Sequence, residues 1–199
     1  MRHARAIPLS LVILGAMAVA GAGAACAETR QPFSHLDVGL RAAADVSDTD
    51  FHDYWDRGRG IELTAATPFY AGALGLRSRF VMNEERSGSG ATDLNALFLA
   101  VDWAVGRGIG GPLRAGAGVA IGFTTWIFSD EEIAGAETET EFGTEAGVFL
   151  SFRLSPAWSA DLTGTYHVTD THKPIELAFV SLGLTRSFAA PAWIRSVLE

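Results

Sequence analysis

From about residue 35 to residue 188 the chain alternates, with bulky apolar side chains on one parity and small or charged ones on the other. Leu36, Val38, Leu40, Ala42, Ala44 and Val46 share the first parity, and Asp37, Gly39, Arg41, Ala43 and Asp45 share the second. The same division sets Leu74, Leu76, Phe80 and Met82 against Gly75, Arg77 and Arg79. It sets Leu113, Val119, Ile121, Phe123 and Ile127 against Arg114, Gly116, Gly118 and Gly122. Further on, Phe142, Val148, Leu150, Phe152 and Leu154 oppose Glu141, Glu145, Ser151 and Arg153, and Leu162, Tyr166 and Val168 oppose Asp161, Thr163, Thr165 and His167. Period two puts successive side chains on opposite faces of a strand. The segments, each bounded by Gly, Pro, Asp or Ser, predict strands at about 35–47, 59–69, 71–83, 93–105, 112–128, 138–154, 157–169 and 174–188.

Eight strands with one greasy face close most simply into a barrel, and two barrels are inside-out versions of each other. A soluble barrel turns its bulky apolar residues inward and covers its outside with Lys, Glu and Gln. A membrane barrel turns them toward lipid and keeps polar residues in the lumen. The polar parity here is Gly, Ala, Ser and Thr with scattered Arg and acids, which fits a narrow interior. Of 15 basic residues only Lys173 is a lysine, which argues against a solvated outer wall. The expected fold is therefore all-β, an eight-stranded antiparallel up-and-down transmembrane barrel, with a soluble barrel or sandwich as the competing reading. Closure also removes the unpaired strand edges that lipid would not tolerate.

The ends of the chain divide it further. Arg2 and Arg5, an apolar run through Leu14, and Ala25-Cys26-Ala27 before Glu28 have the form of an export signal over 1–27. Cys26 keeps a second option open, a lipoprotein signal, although Gly23 stands where such a signal prefers leucine. The barrel is expected over 28–188 and a short periplasmic tail over 189–199, in which Trp193, Ile194, Val197 and Leu198 share one helical face. That tail reads either as an amphipathic segment on the membrane surface or as a partner-docking or plugging helix. After the signal no stretch is apolar and long enough for a membrane helix.

The connections alternate in length. Thr67–Gly72, Gly106–Pro112 and Ser155–Trp158 are tight, whereas 48–58, 84–92, 129–137 and 170–173 are longer or more charged. Tight links suit periplasmic turns, with Phe69, Tyr70, Trp103 and Trp158 in an aromatic girdle, and the others suit outside loops. With these hairpins, the turn Arg153-Leu154-Ser155-Pro156-Ala157-Trp158 and the last strand Phe179–Phe188, the chain resembles the small eight-stranded outer-membrane barrels of Gram-negative bacteria, the OmpA/OmpX/OmpW-like group. The resemblance implies an outer-membrane location, contact with lipid and lipopolysaccharide, and recognition of the closing strand's terminal aromatic, here Phe188, by the barrel-assembly machinery. Two departures are visible: Arg186 stands where a second aromatic is common, and residues 189–199 follow Phe188.

Candidate chemistry is sparse. The inward parity carries Asp37, Asp45, Glu62, Asp102, Glu141, Glu145 and Asp161 against Arg41, Arg77, Arg79, Arg114 and Arg153. Charges enclosed in a narrow lumen must pair, so a network of Arg41, Glu62, Arg77, Arg79, Glu145, Arg153 and Asp161 is expected. Counted from the turn at 68–72, Glu62 and the arginines of strand three lie at similar heights. Asp48, Asp50, His52, Asp53 and Asp56 face Asp170 and His172 across the closure, and they read as a solvated acidic rim more than as a cation site. The run Asp130-Glu131-Glu132 with Glu137, Glu139 and Glu141 reads the same way, as a charged loop and strand entrance.

Gly106-x-Gly108-x-x-Gly111 matches a dinucleotide-binding string, but a strand is expected after it where the mechanism needs a helix. No His-x-Ser-Asn pattern of a lipid A deacylase and no Gly-x-Ser-x-Gly elbow occurs. His167 reads as a hydrogen-bonded lumen residue near the outer rim.

Composition narrows the partners. With 23 acids against 15 basic residues the net charge is −8, which excludes a phosphate-binding surface for nucleic acid. One cysteine excludes a disulfide framework or a multi-cysteine zinc site, and no cofactor is expected. The expected role is a monomeric, non-enzymatic structural or surface-interaction barrel with an ion-paired, non-conducting lumen. A narrow transport barrel for small apolar solutes and a lipid A-modifying enzyme are the alternatives.

Overall fold

The computed structural model describes residues 32–129 and 138–191. The proposed signal 1–27 with Cys26, the acids Asp130, Glu131, Glu132 and Glu137, and the tail from residue 192 lie outside the described residues. Eight antiparallel strands close one barrel in chain order: β1 (His35–Asp45), β2 (Arg59–Phe69), β3 (Gly72–Asn83), β4 (Leu94–Gly110), β5 (Leu113–Phe128), β6 (Glu139–Arg153), β7 (Trp158–Thr169) and β8 (Ile175–Ala189). β8 pairs back onto β1, from His35 opposite Ala189 to Asp45 opposite Phe179. Both β1's start and β8's end therefore lie at the end that carries the short turns. The opposite end carries the loops.

The alternation resolves in the inside-out sense of a membrane barrel. Leu76, Ile121, Val148 and Leu182 point outward and are 64%, 58%, 62% and 62% exposed, while inward-facing Glu62 and Arg79 are 0% and 2% exposed. Apolar residues this exposed, wrapped around the wall, form a patch far beyond what a soluble monomer carries.

β4 departs from its expected end at 105 and continues to Gly110. The segment Gly106–Pro112 is expected as one tight turn, but Gly106, Arg107 and Gly108 pair with Gly116, Ala115 and Arg114 of β5, and the register then slips before Gly110. Only Gly111 and Pro112 lie between the paired Gly110 and Leu113, and Gly110 and Gly111 take φ of 138° and 54°, a region that favours glycine. A strand follows, so the Gly-rich string opens no helix. Gly106 and Gly116 serve the lumen instead: a Cβ on either would come within 2.6 Å of the inward Phe149 ring.

Candidate functional site

The barrel axis is the place where the polar parity of all strands converges, and a compact charged layer crosses it. Register puts Glu62 of β2 directly opposite Arg41 of β1 and Arg79 of β3. Arg41 donates to Glu62 at 2.8 Å and lies 3.6 Å from Asp161. Arg79 reaches Glu62 at 3.5 Å and donates to Glu145, and Arg77 also donates to Glu145 while lying 3.9 Å from Glu62. Asp102, an inward acid outside the expected network, joins through Arg77 at 3.8 Å. Three guanidinium groups are thus shared among four carboxylates. Each buried ion has an opposite charge beside it, the condition for keeping such groups ionised away from water.

Six of the seven expected network residues meet in this layer, and Arg153 does not. It is exposed at the end of β6, opposite Ser159, where the lumen opens. Parity directs it inward, but it sits one inward step nearer the turns than Asp161, which faces Ser151 on β6. The Asp161 carboxylate is instead taken by Arg41, Thr185 and Ser159.

Above the charged layer, toward the loops, the lumen turns apolar. The guanidinium carbon of Arg79 lies 4.0 Å from the centre of the Phe179 ring and 5.5 Å from that of Phe98. His167 stacks edge-on against Phe98, and its Nε2 lies 3.0 Å from both Thr124 Oγ1 and Thr169 Oγ1. Beyond it Val81, Leu94, Ala96, Trp126, Leu177 and Phe179 form a buried cluster with Phe51 from the first loop. The space left between the His167 layer and this cluster is about 10 Å³, barely one water. Sequence reasoning missed this plug. Its signal was there: Trp126 and Phe179 are large apolar residues on the otherwise polar parity, both near the loop end.

The first loop carries Phe51 into the barrel. A single turn of 3-10 helix, Asp50–Asp53, buries Phe51 and His52. The Phe51 ring packs 4.8 Å from Trp55 and 6.0 Å from Trp126, and Trp55 Nε1 donates to the Thr92 carbonyl of the second loop at 2.7 Å. Arg86 of that loop donates to the His52 carbonyl. A third tie joins Asp50 to Lys173 of the last loop at 2.9 Å. The hydrogen bond and charge of Lys173 hold the Asp50 carboxyl below its ordinary value, and Asp50 raises Lys173 in return.

His52 therefore does not belong to the solvated rim where it was expected. Among the described residues no three His, Cys, Asp or Glu side chains group as metal ligands. His52 instead meets Ser47 and Asp45, all three buried. The residue types match a nucleophilic triad but the wiring does not. His52 Nδ1 donates to the Trp55 carbonyl at 3.1 Å, while Ser47 Oγ (3.1 Å) and Asp45 Oδ2 (3.3 Å) both crowd Nε2. In a working triad the acid would hold Nδ1 and leave Nε2 to the serine alone. Ser47 Oγ moreover donates to Asp45 at 2.5 Å. The cluster pins the loop to the top of β1.

The turn end is different. A cavity of about 530 Å³, lined by His35, Asp37, Arg114, Arg153 and Ser187 among others, opens there. A second of about 160 Å³ continues inward to Arg41, Arg77 and Asp102. They share Asp37, Arg114, Ser151, Ser159 and Thr185, so the space is one polar blind vestibule ending under the charged layer.

No protein-family model and no curated protein matches the sequence. Solved structures do match in shape. Neisserial surface protein A superposes with a TM-score of 0.58 at 10% identity, covering 80% of this chain and 99% of that one. The N-terminal β-barrel domain of Pseudomonas aeruginosa OprF gives 0.54 at 9% identity, covering 79% and 100%. The outer membrane protein OprG from Pseudomonas aeruginosa gives 0.54 at 11%, covering 79% and 97%. At these identities the likeness is one of fold: the chain is a small eight-stranded barrel of the outer-membrane type, with no narrower subfamily indicated.

Proposed function

We propose that the protein is exported to the outer membrane and spans it as a closed, non-conducting barrel that presents its loops outside, with a structural or surface-interaction role. The observation that carries this reading is the double closure of the lumen, by the Arg41–Glu62–Arg77–Arg79–Glu145 layer and by the Phe51 plug above it. A solute would have to displace buried, mutually neutralising ions and then a packed apolar cluster. Transport of small apolar solutes is disfavoured because the apolar half of the lumen is filled rather than hollow. The reading assigns no catalysis: the Ser47–His52–Asp45 contacts support a fastening role. The exposed apolar wall suits lipid, and the acidic loop end would meet lipopolysaccharide phosphates only through bridging divalent cations, since both carry negative charge. Assembly through the closing strand, and a monomeric state, belong to the same proposal.

Site-directed labelling tests it. In a Cys26→Ser background, Asp48→Cys in the first loop should react with an impermeant maleimide on intact cells. Ala71→Cys, in the turn after β2, should react only once the outer membrane is permeabilised. The reverse pattern, or a protein absent from the outer-membrane fraction, would overturn the assignment.

A further inference from the structure

The outer wall is apolar along most of its height, and at its turn end β8 places a charge on the lipid-facing parity. Leu182 and Leu184, 62% and 47% exposed, belong to the apolar belt, and the next outward residue is Arg186. Its guanidinium carbon lies 5.4 Å from the centre of the Trp158 ring and 4.8 Å from that of Phe188. Trp158 is its direct cross-strand partner on β7, and Phe188 is the next outward residue of β8. Both rings are themselves exposed, at 42% each.

Three observations bear on what this arginine meets. No carboxylate among the described residues lies within ion-pair distance of Arg186. The nearby acids of this end, Asp37 and Asp161, face the lumen, where Ser187 and Thr185 donate to them. The aromatic pair also limits the side chain's freedom, so a ligand binding there loses less entropy in ordering it. Guanidinium pairs with phosphate oxygens through two parallel N–H bonds, which a lysine cannot reproduce.

We propose that Arg186, held between Trp158 and Phe188, binds the phosphate of a phospholipid headgroup in the leaflet at the short-turn end of the barrel. The position explains why a charge is tolerated on the greasy parity: it stands at the belt's border, where a long side chain reaches the headgroup layer. The two rings flank the guanidinium at headgroup depth, as aromatic residues do at membrane interfaces. The site rests on the transmembrane reading above, and it supplies a fixed lipid contact beside the seam where β8 closes on β1.

The test uses full-length protein refolded in detergent, with dimyristoyl phosphatidylglycerol as the probe and dimyristoylglycerol, which lacks the phosphate, as its comparison. Native mass spectrometry should find one phosphatidylglycerol retained on the wild type. Retention should fall about tenfold in Arg186→Gln, the loss expected for a charge-assisted pair, and should be unchanged in Arg59→Gln at the loop end. Heat-modifiable gel migration checks that each variant is folded. A wild type without that migration would break the transmembrane reading itself, separately from the site. Equal retention by Arg186→Gln, or retention of dimyristoylglycerol as strong as that of the phospholipid, would overturn the site. So would a variant that keeps its lipid in vitro but fails to assemble in cells, since that pattern assigns Arg186 to the assembly machinery.

Discussion

The two halves of the lumen are built from the same parity of the same strands, yet they are opposites. On β3 the inward residues run from Arg77 and Arg79 to Val81. On β8 they run from Thr185 through Ser181 to Phe179 and Leu177. Toward the turns the interior is polar, roomy and continuous with solvent. Toward the loops it is packed and covered by a loop tied down at three points. The charged layer marks the boundary. Arg79 belongs to both halves, with carboxylates on one side and the Phe179 ring on the other. The difference teaches that closure here is layered: ions fill the middle because an eight-stranded barrel leaves room only for side chains, and apolar rings fill the top because a loop can deliver them.

The largest effect should come from unbalancing the boundary. Glu62→Ala leaves Arg41 and Arg79 without their shared carboxylate in a buried setting and should destabilise the barrel by about 3–5 kcal/mol. Arg153→Ala at the wet end should stay within about 0.5 kcal/mol of wild type. Urea unfolding in lipid vesicles, followed by tryptophan fluorescence, checks both. Comparable costs for the two would erase the distinction between the halves.

Next in size is the outer wall, which should be indifferent to what lies behind it. Ile121→Lys should cost about 2–4 kcal/mol, as a mid-belt charge does in a membrane barrel. A cost near zero in the same titration would mean that this face does not meet lipid.

Phe51→Ala probes the plug alone. It should cost about 2–3 kcal/mol, below the usual range for a buried phenylalanine because the loop can resettle. Trypsin cleavage at Arg57 should quicken markedly while the barrel stays folded. Unchanged cleavage would show that the loop is held by its other ties and that the ring contributes little.

The smallest effect concerns the tie between Asp50 and Lys173. The folded-state pKa of Asp50 lies below its ordinary value of 3.8, so its contribution is present above that value and lost as pH falls through the folded pKa. That of Lys173 lies above 10.5, so its contribution is present below that value and lost as pH rises through the folded pKa. The loop contact should therefore be constant across neutral pH and weaken only at the two extremes. Distance measurements between spin labels on the first and last loops check this. Both side chains are highly exposed, so Asp50→Asn should barely move global stability.

Period two carried most of the fold. Strand number, sidedness and even the pairing of Glu62 with Arg79 follow from counting along hairpins. Counting fails where it must supply height rather than side. Arg153 has the right parity and the wrong level, and nothing local in its sequence says that the lumen is already open there. Phe51 lies in a loop without periodicity, and its place inside the barrel depends on partners from β5 and β8. The glycines of 106–111 suggest a turn because glycine is common in turns. Their pairing depends on β5, which the local string does not contain. Arg186 departs from a closing-strand pattern in the sequence itself, but its aromatic neighbours come from the cross-strand register with Trp158 and from Phe188 beyond it.

The central claim is that the lumen is closed twice, and ion conductance measures it most directly. Wild-type protein in planar lipid bilayers should show no steady ohmic current, and Phe51→Ala should remain closed because the charged layer still crosses the axis. Steady, voltage-independent channels from the wild type would contradict the account.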